Sequence, residues 1–105
     1  MKESEIRKKV IAAHPDWVVW FPAKVKYQET DIFGVFDLLL IKKNSSQLKW
    51  IQLTSYSNVP ARKKKILAFF SANLVFIRNA EIWGWNESKK EFRVVKLDIR
   101  DIACG

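Results

Sequence analysis

The sequence predicts an α/β fold, a central mixed β-sheet flanked by helices in the order α-β-β-β-α-β-β. Three observations predict it. Residues 3–14 and 59–71 place apolar side chains at helical spacing. Residues 17–21, 48–54, 81–85 and 91–97 are apolar or alternating runs rich in strand formers. The run Leu38-Leu39-Leu40-Ile41 does not alternate at all, the pattern of a strand covered on both faces by helices. At 105 residues the chain makes one domain, 1–105.

The elements follow in order. In residues 3–14, Ile6, Val10 and Ala13 share one helix face, and Arg7, Lys8 and Lys9 lie mostly elsewhere. Pro15 disfavours helical geometry at His14 and ends the helix. Trp17-Val18-Val19-Trp20-Phe21 reads as a strand. Residues 24–30 alternate loosely, as a strand end or loop, and 31–34 lead into the segment Gly34-Val35-Phe36-Asp37-Leu38-Leu39-Leu40-Ile41. Lys43-Asn44-Ser45-Ser46 is turn-like and of hairpin length. In the next strand Leu48, Trp50, Gln52 and Thr54 share one face, and Ile51 and Leu53 the other.

Ser55-Tyr56-Ser57-Asn58 supplies capping residues, and Pro60 suits the first turn of the helix at 59–71. Val59, Ile66, Phe70 and Leu74 mark the buried stripe of that helix. Lys63 falls on the same stripe, with Lys64 and Lys65 to the sides. Residues 73–79 fit either a last helical turn or a short strand. The strands at 81–85 and 91–97 are joined by Asn86-Glu87-Ser88-Lys89-Lys90 as a hairpin, and 99–105 is a tail.

Composition narrows the function classes. With 49% hydrophobic residues, five Trp and seven Phe, the chain can bury a core without staples. A single cysteine, Cys104, excludes a disulfide framework and fits a reducing, cytoplasmic setting. No apolar run is long enough to span a membrane, and residues 1–5 lack a signal-peptide core. The balance of 19 basic to 11 acidic residues, a net charge of +8, favours a polyanionic partner, nucleic acid first. The lone His14 supports neither a zinc site nor a Ser-His-Asp hydrolase and reads as a helix-end residue.

The chemistry concentrates where two strands meet. Asp37 opens one strand, and Gln52 lies near the end of the next. An antiparallel pair brings them together, so a carboxylate and an amide oxygen could share a hard cation such as magnesium. Such an ion activates water against a phosphodiester. Asp37, Trp50-Ile51-Gln52-Leu53-Thr54-Ser55 and the helix carrying Arg62-Lys63-Lys64-Lys65-Ile66 together resemble the PD-(D/E)XK nuclease superfamily. The likeness is to archaeal Holliday junction resolvases and small phage-type endonucleases, and it runs roughly from Glu5 to Leu97.

That resemblance implies a restriction-endonuclease-like fold and an endonuclease that uses Mg2+ or Mn2+. It implies Asp37, Gln52 and the Leu53 carbonyl as metal ligands. It also implies a DNA partner, duplex or branched, and a homodimer. The superfamily's lysine, two residues after the Glu or Gln, is Thr54 here. Lys63 or Lys65 could supply the missing charge from the helix, and Glu5 or Glu3 an additional acid, with Glu29 and Asp31 as further acids. Arg62, Lys63, Lys64 and Lys65 open a helix at the end where cations oppose its dipole, which suits phosphate contact; Ser55 and Asn58 stand beside them. The alternative is a nucleic-acid-binding module on the same fold that has lost hydrolysis with the lysine. Of the five tryptophans, Trp50 shares the face of Gln52 and is a candidate to stack an exposed base, as are Trp83 and Trp85 on theirs.

Overall fold

The computed structural model describes residues 3–21, 32–33 and 35–98. Along them run α1 (Glu3–Ala12), β1 (Trp17–Trp20), β2 (Leu38–Lys42), β3 (Leu48–Ser55), a 3-10 turn (Tyr56–Asn58), α2 (Val59–Asn73), β4 (Ala80–Asn86) and β5 (Glu91–Lys96). The five strands form one sheet in chain order. Neighbours are antiparallel except β3 and β4, which are parallel. A parallel pair needs a crossover, and α2 provides it. The fold is therefore α/β, a five-stranded mixed sheet with two helices.

The observed order departs from the expected one by the 3-10 turn between β3 and α2. Its physical reason lies in β4. Gly84 pairs with Thr54 across the sheet. A Cβ there would overlap Val59 Cγ2 and meet Ser55 O and Tyr56 Cα at 3.3 Å. Only a glycine lets the chain leave β3 this tightly and start α2 directly over the sheet.

Each helix covers one face. Val10 of α1 packs with Leu38, Leu40, Ile51 and Leu53. On the other face Val59, Ile66 and Phe70 of α2 pack with Phe36, Ala80, Ile82 and Leu97. Two sequence expectations are corrected here. Leu38 and Leu40 are fully buried, but Leu39 is only half-buried and Ile41 is 41% exposed. α2 lies over β3 and β4, so β2 is well covered on one side only. Leu74 does not join the α2 stripe. It closes the helix in left-handed geometry (φ 54°), which turns its side chain out to 93% exposure.

Residues 73–79 form a helix cap and loop rather than a strand. Asn79 donates through Nδ2 to Leu48 O at 3.1 Å, and its carbonyl accepts from Trp50 N at 3.0 Å, which sets the register of β4 beside β3. α1 ends at Ala12, where the His14 ring Nδ1–H donates to Val10 O at 2.7 Å. In the β4–β5 turn, hydrogen bonds from Lys90 Nζ and then Trp85 Nε1 hold the Glu87 carboxyl below its usual range. The expectations for 24–30, Glu29, Asp31, Cys104 and 99–105 lie outside the described residues, and nothing is described of the Glu3 side chain. Among the described residues no helix is long and apolar enough to cross a membrane.

Gly84→Ala tests the close approach. Forcing Val59 and Tyr56 off the sheet is expected to destabilise the fold by about 1–3 kcal/mol. An unfolding midpoint unchanged in urea would show that the start of α2 tolerates displacement.

Candidate functional site

The site forms where β2 parts from β3. The β2–β3 ladder ends at the pair Leu38 and Ile51. One residue earlier, Asp37 N–H still donates to Ile51 O at 2.8 Å. Before that the chain turns away, with Ile32 and Phe36 pairing to each other. Leu53 N–H therefore has no β2 carbonyl to meet, and the Asp37 side chain takes that role. Its Oδ2 accepts from Leu53 N at 2.7 Å and from Gln52 Nε2 at 2.7 Å. Gln52 Nε2 also donates to Leu53 O at 2.9 Å.

The three expected ligand groups thus converge on one point. Asp37 is half-buried and Gln52 is 4% exposed. Ile51 and Leu53 face α1, so Gln52 faces the α2 side, as the alternation of β3 requires. In the arrangement observed, the amide nitrogen sits between the carboxylate and the Leu53 carbonyl, and its two N–H groups satisfy both oxygens. The cost falls on the other end of the amide: Gln52 Oε1 is buried with no hydrogen-bond partner. An orphaned buried acceptor costs about 1–3 kcal/mol.

Turning the amide over would direct Oε1, Asp37 Oδ2 and Leu53 O toward each other. Three oxygens brought this close, with the Leu53 N–H on Asp37 Oδ2 as the donor that stays, repel one another unless a cation lies among them. The group is oxygen-only and carries one formal charge, which suits a hard divalent ion such as Mg2+ or Mn2+. The ion and the Gln52 N–H groups compete for the same two oxygens. Among the described residues no group of three or more His, Cys, Asp or Glu side chains could hold a metal.

The remaining expected residues divide. Thr54 is half-buried on the Gln52 face of β3. Ser55 and Asn58 are exposed; the Ser55 hydroxyl lies 3.4 Å from that of Ser57, and Asn58 occupies the α2 N-cap without a side-chain cap bond. Lys63 is half-buried on α2, at the stripe position between Val59 and Ile66, and Arg62 is half-buried beside it. Lys64 and Lys65 are exposed. Glu5 is exposed on α1, which packs on the opposite face of the sheet, so the structure does not bring it to Asp37.

The sequence reading missed a buried polar cluster on the α1 face. His14 is 5% exposed and Glu81 4%. Lys49 Nζ lies 3.2 Å from His14 Nε2 and 3.8 Å from Glu81 Oε1, and 4.8 Å from the centre of the Trp17 ring. Trp83 Nε1–H donates to Glu81 Oε1 at 2.9 Å. Both charges are held by partners in a shell of rings, the arrangement of a structural ion pair. It lies across the sheet from Asp37. A Glu at a strand position between Ala80 and Ile82 was the one signal that could have found it. Trp83 is used here, and Trp83 and Trp85 both pack on Phe92, with ring centres 5.2 and 4.9 Å away, which leaves Trp50 of β3 and the exposed Trp20 of β1 on the Gln52 face.

No protein-family model matches the chain, and no curated protein or solved structure matches it.

Gln52→Glu tests the oxygen cluster. The new carboxylate would face Asp37 at the distance the amide now holds, so the pair shares a proton and its upper pKa rises above the unfolded value. A raised pKa contributes stability that is present in acid and lost as pH climbs through it, by about 1.4 kcal/mol per unit of rise. The variant should match the parent near pH 4, fall below it by about pH 7, and recover with millimolar Mn2+. Stability curves that stay parallel across this range, with or without Mn2+, would remove the cluster.

Proposed function

We propose that this chain is a divalent-metal-dependent DNA endonuclease on a restriction-endonuclease-like fold, of the Holliday junction resolvase-like kind. The observation that carries the reading is the convergence of Asp37 Oδ2, Leu53 O and the Gln52 amide at the point where β2 leaves β3. The helical crossover from β3 to its parallel neighbour β4 supports it, because it sets the start of α2 and its basic run just beyond the end of β3. The net charge of +8 suits a phosphate backbone.

Each residue then has a role. Asp37, Gln52 and the Leu53 carbonyl hold the ion, and Gln52 turns its amide to do so. A bound Mg2+ or Mn2+ supplies Lewis-acid activation of water and offsets charge on the phosphate. Thr54 carries no charge and serves only to orient water or phosphate by hydrogen bonding. Lys63 is the better source of the missing cation than Lys65, because it is half-buried on the stripe facing the sheet whereas Lys65 is exposed. A cation there stabilises the charge that develops as the phosphodiester opens. Arg62, Lys64, Lys65, Ser55 and Asn58 contact the flanking backbone. A homodimer follows from the resemblance, since a junction presents two strands to cut.

Two observations favour a second reading, a DNA-binding module without hydrolysis. Thr54 stands where the superfamily has lysine, and the Gln52 N–H groups already satisfy the would-be ligand oxygens. Incubating branched and duplex DNA with Mn2+ separates the two. The nuclease reading expects nicking that falls at least about 100-fold in Asp37→Asn, which keeps an acceptor for Leu53 N–H, as loss of a group that acts on the transition state does, and a larger loss in Lys63→Ala than in Lys65→Ala. Binding with a log–log salt slope of about −0.9 per phosphate contacted, without cleavage and indifferent to Asp37→Asn, would leave only the binding module.

A further inference from the structure

A cavity of about 530 Å3 opens on the α2 side of the sheet, lined by Phe33, Trp50, Phe69, Asn73, Val75 and Ile77. Phe33 is its unusual member. Its backbone is left-handed, with φ 56°, a conformation bulky residues avoid. Its ring is 60% exposed although a phenylalanine ordinarily gains by burial. The ring stacks on Phe69, with centres 5.8 Å apart and planes 26° apart, and lies 5.7 Å from Trp50 at 35°. Held against two rings of its own chain, it still leaves most of its surface open beside the cavity.

The turn that carries Phe33 is closed by Ile32 N–H donating to Phe36 O at 2.7 Å and Phe36 N–H to Ile32 O at 3.0 Å. The next residue is Asp37. One turn therefore places a ring at the cavity and a carboxylate at the proposed centre. β3 does the same from its side. Trp50 lines the cavity and Gln52 reaches Asp37, both on one face and roughly 7 Å apart. α2 spans the arrangement lengthwise. Its basic run lies near the end of β3, and Phe69 and Asn73 lie at the cavity.

Flat aromatic walls with one amide at the edge, in a chain of net charge +8, suit a nucleobase attached to a phosphate backbone. We propose that this cavity takes a single unstacked base from the strand presented to Asp37 and Gln52. The substrates are then DNA with an unpaired nucleotide beside the scissile phosphate, such as a single strand, a loop or a branch point. The base inserts against Phe33 and Trp50, and the adjoining phosphate lies over the Asp37–Gln52 pair. A fully paired duplex reaches the site only by extruding a base, which selects against it. This inference rests on the DNA-directed reading above.

The test measures affinity by fluorescence anisotropy for three probes of one length: single-stranded oligothymidylate, an abasic oligomer and a matched duplex. The parent chain should bind oligothymidylate more tightly than the abasic oligomer. Phe33→Ala, at an exposed position, should weaken oligothymidylate binding roughly 5- to 150-fold, the worth of one stacked base, and leave the abasic and duplex probes within about twofold. Phe33→Trp should restore it. Equal affinity of the parent for the thymidylate and abasic probes would overturn the proposal without recourse to any variant. So would a Phe33→Ala loss that is the same for all three probes. Salt-sensitive duplex binding alongside either result overturns the base pocket alone, whereas no binding of any probe removes the DNA-directed reading with it.

Discussion

The hydrogen bond from Leu53 N–H to the Asp37 carboxylate is the constraint on which the rest of this structure turns. A sheet strand whose neighbour departs leaves backbone donors exposed or orphaned, and such groups are costly inside a protein. Here the carboxylate completes the ladder past the last paired residue, so β2 can leave early without loss. That departure frees the chain to form the Phe33 turn, and it opens β3 at Gln52. A charged acceptor makes these bonds stronger than the backbone carbonyl it replaces. The same carboxylate thus serves the fold and, in the proposed reading, the ion, so a substitution at Asp37 that removes the acceptor is felt in the fold first.

The two faces of the sheet are built on different principles. On the α1 face, apolar side chains pack tightly around a satisfied polar group of His14, Lys49 and Glu81. On the α2 face the helix covers β3 and β4, and Trp20, Val18 and Ile41 remain exposed beyond it. Gln52 Oε1, a buried acceptor without a partner, lies on this second face. Arg7 Nε of α1 is likewise buried without a hydrogen-bond partner, so each helix side carries one such atom among the described residues; the one on the α2 side lies among the groups proposed to hold an ion.

Much of this was legible in the chain. The alternation Leu48, Trp50, Gln52, Thr54 assigned Gln52 and Thr54 to one face, because the strand period is two whatever the neighbours are. The hairpin-sized gap between two apolar runs brought Asp37 opposite Gln52. Pro60, Ile66 and Phe70 marked α2. The failures have a common source. By hydrophobicity alone Leu38-Leu39-Leu40-Ile41 reads as doubly covered, yet whether a helix reaches each face depends on where the crossover lands. Leu74 fits the helical stripe by spacing and leaves it because the helix closes in left-handed geometry at that residue. Glu81 gave little signal by itself, since its partners Lys49 and Trp83 come from two strands.

By itself, then, the sequence determined the local periodicities, the surplus of positive charge, and the pairing of one carboxylate with one carboxamide. These depend on neighbours in the chain or on sums over it. Tertiary structure alone decided which end of the Gln52 amide meets Asp37, that Leu53 N–H donates to the same carboxylate, and that Phe33 faces a cavity beside Trp50. Those outcomes follow from where α2 crosses the sheet and where β2 peels away. They are contacts between segments far apart in sequence, and no local pattern carries that distance.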